Sequence, residues 1–239
     1  MSDSLDEAEE DIIRSWHINA QPWTKALQFQ QIASRRLVTD RAIVDAVLGI
    51  APRTVLDIGC GEGWLARALA RSGVEVLGID VVPALIAEAR RLGPGAFEVH
   101  SYADVAAKSL DRGSFDVAVC NFSLLGQESV ESLLGAVGSY LNPGGRFILQ
   151  TLHPVAACGD RPYRDGWRPG SWAGFGADFS DPAPWFFRTL ASWYAMLLRC
   201  GFEVVECREP TGRDGTAPSS LLFICGQRGA AASGTEDVV

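Results

Sequence analysis

From residue 54 the hydrophobic period of this chain changes, and short apolar runs begin to alternate with amphipathic segments of helical length. TVLDIG reads as a buried strand, WLARALARSG as a helix stopped by Gly73, EVLGID as a second strand, and PALIAEARRLG as a helix with Pro83 in its first turn. AFEVHSY and FDVAVCNF follow as strands three and four, SVESLLGAVGSYL as a helix, and RFILQTL as strand five. The strands are apolar on both faces, a pattern that belongs to a sheet covered by helices on each side. The alternation predicts an α/β fold: a doubly wound, mainly parallel, Rossmann-like sheet. FEVVECRE and SSLLFICG, joined by a turn containing Gly and Pro, add a terminal hairpin.

The flanks read differently. Residues 12–49 lack strand alternation and look helical, with Thr39 as an N-cap for TDRAIVDAVLGI and Gly49 as its stop. Residues 153–184, HPVAACGDRPYRDGWRPGSWAGFGADFSDPAP, carry no period, and a loop that long in a compact domain is usually functional or disordered. A helix is expected over 185–200, ending at Gly201. The expected organisation is a helical extension or lid over 1–49, a main domain over 50–228 containing the aromatic-rich loop 153–184, and a disordered tail over 229–239.

The most specific local signal is VLDIGCGEG, residues 55–63, where glycines occupy every second position after a buried strand. In an open parallel sheet, ligands bind beyond the carboxyl ends of the strands, and this turn sits there at the start of a helix. A dinucleotide places its pyrophosphate on such a turn with G-x-G-x-x-G spacing. Here the spacing is G-x-G-x-G, and Asp57 precedes it by two residues. That acid repels an anion and tolerates an ammonium or sulfonium. Asp80 ends the second strand about twenty residues on, where a carboxylate can accept hydrogen bonds from both ribose hydroxyls.

Composition narrows the partners. Forty-seven per cent of the 239 residues are apolar, enough for a full core, and no run of 18 apolar residues suggests a membrane span. The net charge of −8 comes from the termini: six acids lie in residues 1–11, and Glu236 and Asp237 add two more. The body between them is neutral, which argues against nucleic acid as the main partner. The acidic start reads as a solvated end and lacks the charge pattern of a signal peptide. The six cysteines are scattered, with no metal-ligand spacing, and read as reduced thiols of a cytoplasmic protein.

With VLDIGCGEG, VLGID, FDVAVCNF and LNPGGRFIL in view, the chain resembles the class I S-adenosylmethionine-dependent methyltransferases, closely over residues 37–152 and more loosely to the final hairpin. The resemblance implies seven strands with a C-terminal antiparallel one, and S-adenosyl-L-methionine as cofactor. It implies that Gly59, Gly61 and Gly63 admit the methionine part, with Asp57 organising the turn and Asp80 holding the ribose. Adenine would lie beside Val81, Ser101 and Tyr102. The family's usual Asp near Tyr102 is missing, so Asp104, Ser101 or a backbone carbonyl would meet the adenine amino group. Asn121 would sit near the sulfonium. An arginine of the N-terminal helices, Arg35 ahead of Arg36, would pair with the methionine carboxylate, for which a guanidinium fork is suited.

On the acceptor side, the loop after strand five reads as a lid over an aromatic-lined pocket, with Trp16, Phe122, Trp167 and Trp185 as substrate contacts. His153, at the end of strand five, is the candidate base, ahead of His17 and His100. NFSL after strand four departs from the NPP-aromatic motif of amino methyltransferases. No metal-ligand cluster is evident. The expected function is methyl transfer to an O, N or C atom of a small, partly aromatic or apolar molecule, by a monomer or homodimer with no nucleic acid or membrane partner. The alternatives are a nicotinamide-dependent oxidoreductase and a non-catalytic cofactor-binding regulator.

Overall fold

The computed structural model describes residues 2–212 and 217–229. Five parallel strands, β1 (Thr54–Ile58), β2 (Glu75–Asp80), β3 (Ala96–Val99), β4 (Phe115–Asn121) and β5 (Leu141–Thr151), form most of a seven-stranded sheet. Two more, β8 (Phe202–Arg208) and β9 (Leu221–Gln227), complete it in the order β3-β2-β1-β4-β5-β9-β8. Strand β9 runs antiparallel to both of its neighbours, so it alone opposes the rest. Strand order reverses between β1 and β4, and the crevice outside their carboxyl ends is where such a sheet takes ligands.

Period-two side-chain direction divides each strand between two cores. Leu56 and Ile58 of β1 face a cluster built with α5 (Tyr102–Ala106), α6 (Glu128–Val137) and α8 (Leu190–Arg199). Val55 faces the opposite cluster, built with α2 (Asp40–Leu48), α3 (Trp64–Ala70) and α4 (Pro83–Leu92). Each fully buried Leu, Ile or Val contributes about 1.5–3 kcal/mol, so the two covered faces hold the carboxyl-end loops on a rigid base.

The flanking helices differ from the sequence reading in instructive ways. Helix α1 (Ser2–Gln28) is continuous through Pro22. Thr39 does not cap α2: it is right-handed helical with no side-chain cap bond, because a π-helical turn over Arg35–Thr39 runs straight into α2. The acidic start is not merely solvated. Glu9 accepts hydrogen bonds from the amides of Gln127, Glu128 and Ser129 and from the Ser129 hydroxyl, tying α1 to the open N-terminus of α6.

The long loop has its own structure. After a short α7 (Pro154–Cys158), β6 (Gly166–Arg168) pairs antiparallel with β7 (Trp185–Phe187). The helix expected from residue 185 therefore begins at Leu190, where the Thr189 side chain accepts from the Ser192 amide. Buried Asn19 of α1 clasps the tip of the loop, donating to the Ser180 carbonyl at 2.7 Å and accepting from the Ser180 amide at 3.0 Å. Among the described residues no helix is long and apolar enough to cross a membrane. Apart from Gly229, the expected tail lies outside the described residues.

Candidate active site

The three glycines of the turn have positive φ, and each faces a different neighbour. A Cβ on Gly59 would overlap Ser123 and come 2.8 Å from its Oγ. A Cβ on Gly63 would stand 2.8 Å from the Phe97 ring and 3.0 Å from Ala89 Cβ. Gly63 therefore lets α3 seat against β3 and α4, and it is absent from the walls of the two chambers beside the turn, where it was expected to meet a cofactor. Gly61 alone looks into open space, with only Trp23 Nε1 near, at 3.6 Å.

That space is a chamber of about 240 Å³ at the sheet's switch point. Gly59 and Gly61 of the turn, Asp80 and Val81 at the end of β2, Ser101 and Tyr102, Asn121 beyond β4, and Arg35 all line it. These are eight of the ten positions expected at a cofactor; Gly63 and Asp57 lie behind the wall. Asp80 braces the turn: its Oδ2 accepts from the Gly61 amide and its Oδ1 from the Val82 amide, both at 2.9 Å. Asn121 Oδ1 accepts from buried Gln150 Nε2 at 3.0 Å, and the same nitrogen donates to the Thr39 carbonyl. Tyr102 donates to the Ser123 carbonyl, and burial pushes its phenol well up. Ser101 caps α5, with Asp104 Oδ2 accepting from its amide and hydroxyl, so Asp104 is committed to the helix start and stays off the chamber.

Charge around the turn is unbalanced. Asp57 is buried with Oδ2 unpartnered, and its pKa is pushed up to about 7 by burial first, then by Asp80 and Glu62. Buried Glu62 is paired with Arg67, while its Oε1 finds no partner. Burial also raises the Asp80 carboxyl. Opposite stands Arg35, buried, its Nε donating to Asp40 Oδ1 at 2.9 Å and its guanidinium over Trp64 at 4.6 Å and Trp23 at 5.5 Å. Among the described residues its two terminal nitrogens bond to nothing in the protein. Burial lowers its pKa, and the fork is free for a carboxylate. Arg36 is exposed and lines neither chamber.

A second chamber, about 270 Å³, adjoins the first. They share Ile12, Trp16, Trp23, Arg35, Phe122 and Leu125 as a common wall. Trp172, Phe175 and Trp185 supply the far side, and Trp172 stacks edge-on against both Trp16 and Phe175. Of the expected substrate contacts, Trp16, Phe122 and Trp185 line this chamber; Trp167 packs on Phe186 instead and lines neither.

His153 also reaches neither chamber. It is buried behind the loop, with Nε2 2.7 Å from Glu209 Oε1, because the residue before Pro154 turns into α7. His17 and His100 line neither as well. Sequence reading missed Trp64, Leu125 and Glu9 at the site. Trp64 carries a readable signal, since it follows Gly63 directly and opens the helix after the turn.

Residues 30–207 match a family model described as a methyltransferase domain, and the chain belongs to that family, whose methyl donor is S-adenosylmethionine. The chain is 36% identical over 119 residues to the ubiquinone biosynthesis O-methyltransferase of Xanthomonas oryzae pv. oryzae, covering 48% of this chain and 49% of that protein. A protein of the same name from Cupriavidus pinatubonensis is 35% identical over 115 residues, 46% of this chain and 45% of the relative. The chain thus aligns with about half the length of these curated relatives. Among solved structures, an S-adenosylmethionine-dependent methyltransferase from Mesorhizobium loti superposes with a TM-score of 0.59 at 25% identity, over 77% of this chain and 98% of that one. The Burkholderia thailandensis 1,6-didemethyltoxoflavin-N1-methyltransferase, with its namesake compound and S-adenosylhomocysteine bound, shares the fold at 20% identity, with a TM-score of 0.62 over 92% and 86% of the two chains.

The residues present fit that donor. A Cβ on Gly61 would fill the cradle, the carboxylates about the turn want a cation, and the free fork of Arg35 wants an anion. An amino-acid zwitterion attached to a nucleoside supplies both.

Proposed function

We propose that this chain transfers the methyl group of S-adenosylmethionine to an O, N or C atom of a small, largely aromatic molecule. One observation carries the reading: the glycine turn and Asp80 open on one chamber, and that chamber shares a wall with an aromatic one. In this reading Gly61 admits the methionine backbone, Arg35 pairs with its carboxylate, and Asp80 accepts from the ribose hydroxyls through lone pairs its two amide bonds leave unused. Val81, Ser101 and Tyr102 flank the adenine, and Asn121 presents its amide nitrogen near sulfur. The acceptor enters the second chamber, where alignment of nucleophile, methyl and sulfur across the shared wall lowers the barrier by fixing orientation. The Asn19–Ser180 clasp ties α1 to the loop that walls this chamber.

Six free cysteines, four of them buried, support a reducing, cytoplasmic setting. A monomer or homodimer that acts without nucleic acid or membrane is the assembly proposed. The test is incubation with methyl-labelled S-adenosylmethionine and a panel of phenols, aromatic carboxylates and aromatic amines. Label in an extractable product, suppressed by S-adenosylhomocysteine, supports the reading. A folded protein that neither binds the donor nor transfers label refutes it.

A further inference from the structure

Resting on that reading, we infer that Arg188, which lines neither chamber, is a positioning residue that couples the two: acting on residues 125–129, it ties the acceptor loop to the helix that covers the donor. Leu125 belongs to the walls of both chambers, and Gly126 and Ser129 wall the donor chamber. A shift of this short stretch therefore alters both chambers at once.

The stretch is held from two sides by opposite charges. On the acceptor side the Phe186 amide of β7 donates to the Leu125 carbonyl at 2.7 Å. The Arg188 guanidinium continues the row, donating from Nη1 to the Gly126 carbonyl at 2.8 Å and from Nη2 to the Gln127 carbonyl at 2.9 Å. On the donor side Glu9 of α1 accepts from the Gln127 amide at 2.6 Å and the Glu128 amide at 3.0 Å. Gly126 is what admits Glu9, since a Cβ there would overlap the Glu9 carboxylate and Ser129 Oγ. Two consecutive peptide groups, 126–127 and 127–128, thus carry Arg188 on the carbonyl and Glu9 on the amide. Cation and anion polarise each group in the same sense, so the bonds on one side strengthen those on the other.

A side chain kept only for packing would not be this one. Arg188 is buried, and a buried charge costs free energy that an apolar side chain of similar size avoids. Burial lowers its pKa to about 10, which still leaves it charged at neutral pH. Its guanidinium lies over Phe186 at 4.8 Å and Trp193 at 5.1 Å, which fixes the plane of the fork. Phe186 follows Trp185, a wall of the acceptor chamber, and Trp193 belongs to the core. A donor seated beneath α1 keeps Glu9 on the stretch, which firms the Arg188 bonds and settles β7 beside the acceptor. By linkage, an acceptor held by the loop tightens the donor by the same factor.

The experiment uses S-adenosylhomocysteine as its probe and needs no acceptor. Calorimetry on the wild type comes first; absence of binding there defeats the donor reading itself, separately from the coupling. Hydrogen exchange is then compared with and without the ligand. In the wild type the ligand should slow exchange in residues 166–168 and 185–188, which lie on the acceptor side, as well as at the glycine turn. Arg188→Met keeps an apolar stem without the fork. It should bind S-adenosylhomocysteine about fivefold or more weakly and lose the ligand-induced protection at 166–168 and 185–188, while keeping it at residues 59–63. Arg188→Lys keeps the charge, should fall between the two, and carries the same comparison if the methionine variant does not fold. In a double-mutant cycle, the affinity losses of Glu9→Gln and Arg188→Lys should combine to less than their product. No ligand-induced protection of β6 and β7 in the wild type, undiminished protection there in both Arg188 variants, or losses that multiply fully would overturn the proposal.

Discussion

Gly59→Ala and Gly61→Ala are two residues apart, remove the same hydrogen, and should fail in opposite ways. At Gly59 the new methyl overlaps Ser123. That residue cannot retreat, because its Oγ donates to the Ile58 carbonyl at 2.9 Å and its own carbonyl accepts from Tyr102 at 2.8 Å. Overpacking of about 1–3 kcal/mol adds to about 1–2 kcal/mol for a side chain at φ +75°. A total of roughly 2–5 kcal/mol lowers Tm by about 4–20 °C in a chain of this size. At Gly61, φ is +57° and the methyl meets nothing nearer than Trp23 Nε1 at 3.6 Å, so only the backbone cost falls on stability. There the methyl occupies the donor chamber, and an overlap worth about 1–3 kcal/mol weakens S-adenosylhomocysteine roughly 5- to 150-fold. Scanning calorimetry and isothermal titration of both variants measure the two effects. Near-native affinity in Gly61→Ala, or a Tm loss in it as large as in Gly59→Ala, would refute the assignment of open space to Gly61.

Other expectations are as direct. The folded-state pKa of Asp57, about 7, lies above its ordinary value, so the native state holds the extra proton and stability falls as pH rises from about 4 through 7. Asp57→Asn should flatten that slope and raise stability above pH 7 by an amount on the order of a few kcal/mol; an unchanged pH profile would contradict the buried, unpaired carboxylate. Arg35→Lys keeps a charge but loses the fork, and should cost about tenfold or more in S-adenosylhomocysteine affinity, measured by calorimetry. Glu9→Ala strands the α6 amides and should cost about 1–3 kcal/mol locally, read as faster hydrogen exchange at residues 126–130 and along α1. Trp172→Leu should weaken acceptors while leaving S-adenosylhomocysteine affinity unchanged, since Trp172 lines only the acceptor chamber.

The sheet was legible because parallel strands buried on both faces write their apolar runs locally, and so were the turn and Asp80, which lie within one strand–helix–strand unit. Arg35 could be singled out by type, yet its stacking between Trp23 and Trp64 joins residues far apart in sequence. The role of Gly63 was misread for a similar reason: its neighbours Phe97 and Ala89 come from the next unit of the fold. His153 was expected at the rim from its position after β5. The turn into Pro154 and the Glu209 carboxylate carry it behind the loop. Glu9 looked like one acid among many in a charged run, and only the approach of α1 to α6 gives it a task. Local chemistry was readable; the direction in which a loop residue points depended on partners the local sequence does not name.

The central claim is that the chamber beside Gly61 takes a methionine-derived nucleoside. Isothermal titration of the wild-type protein with S-adenosylhomocysteine, with NADH as a parallel control, tests it most directly. Saturable one-site binding of S-adenosylhomocysteine alone is predicted. Heat-silent titration with S-adenosylhomocysteine in protein that melts cooperatively, or saturable binding of NADH in its place, would contradict it.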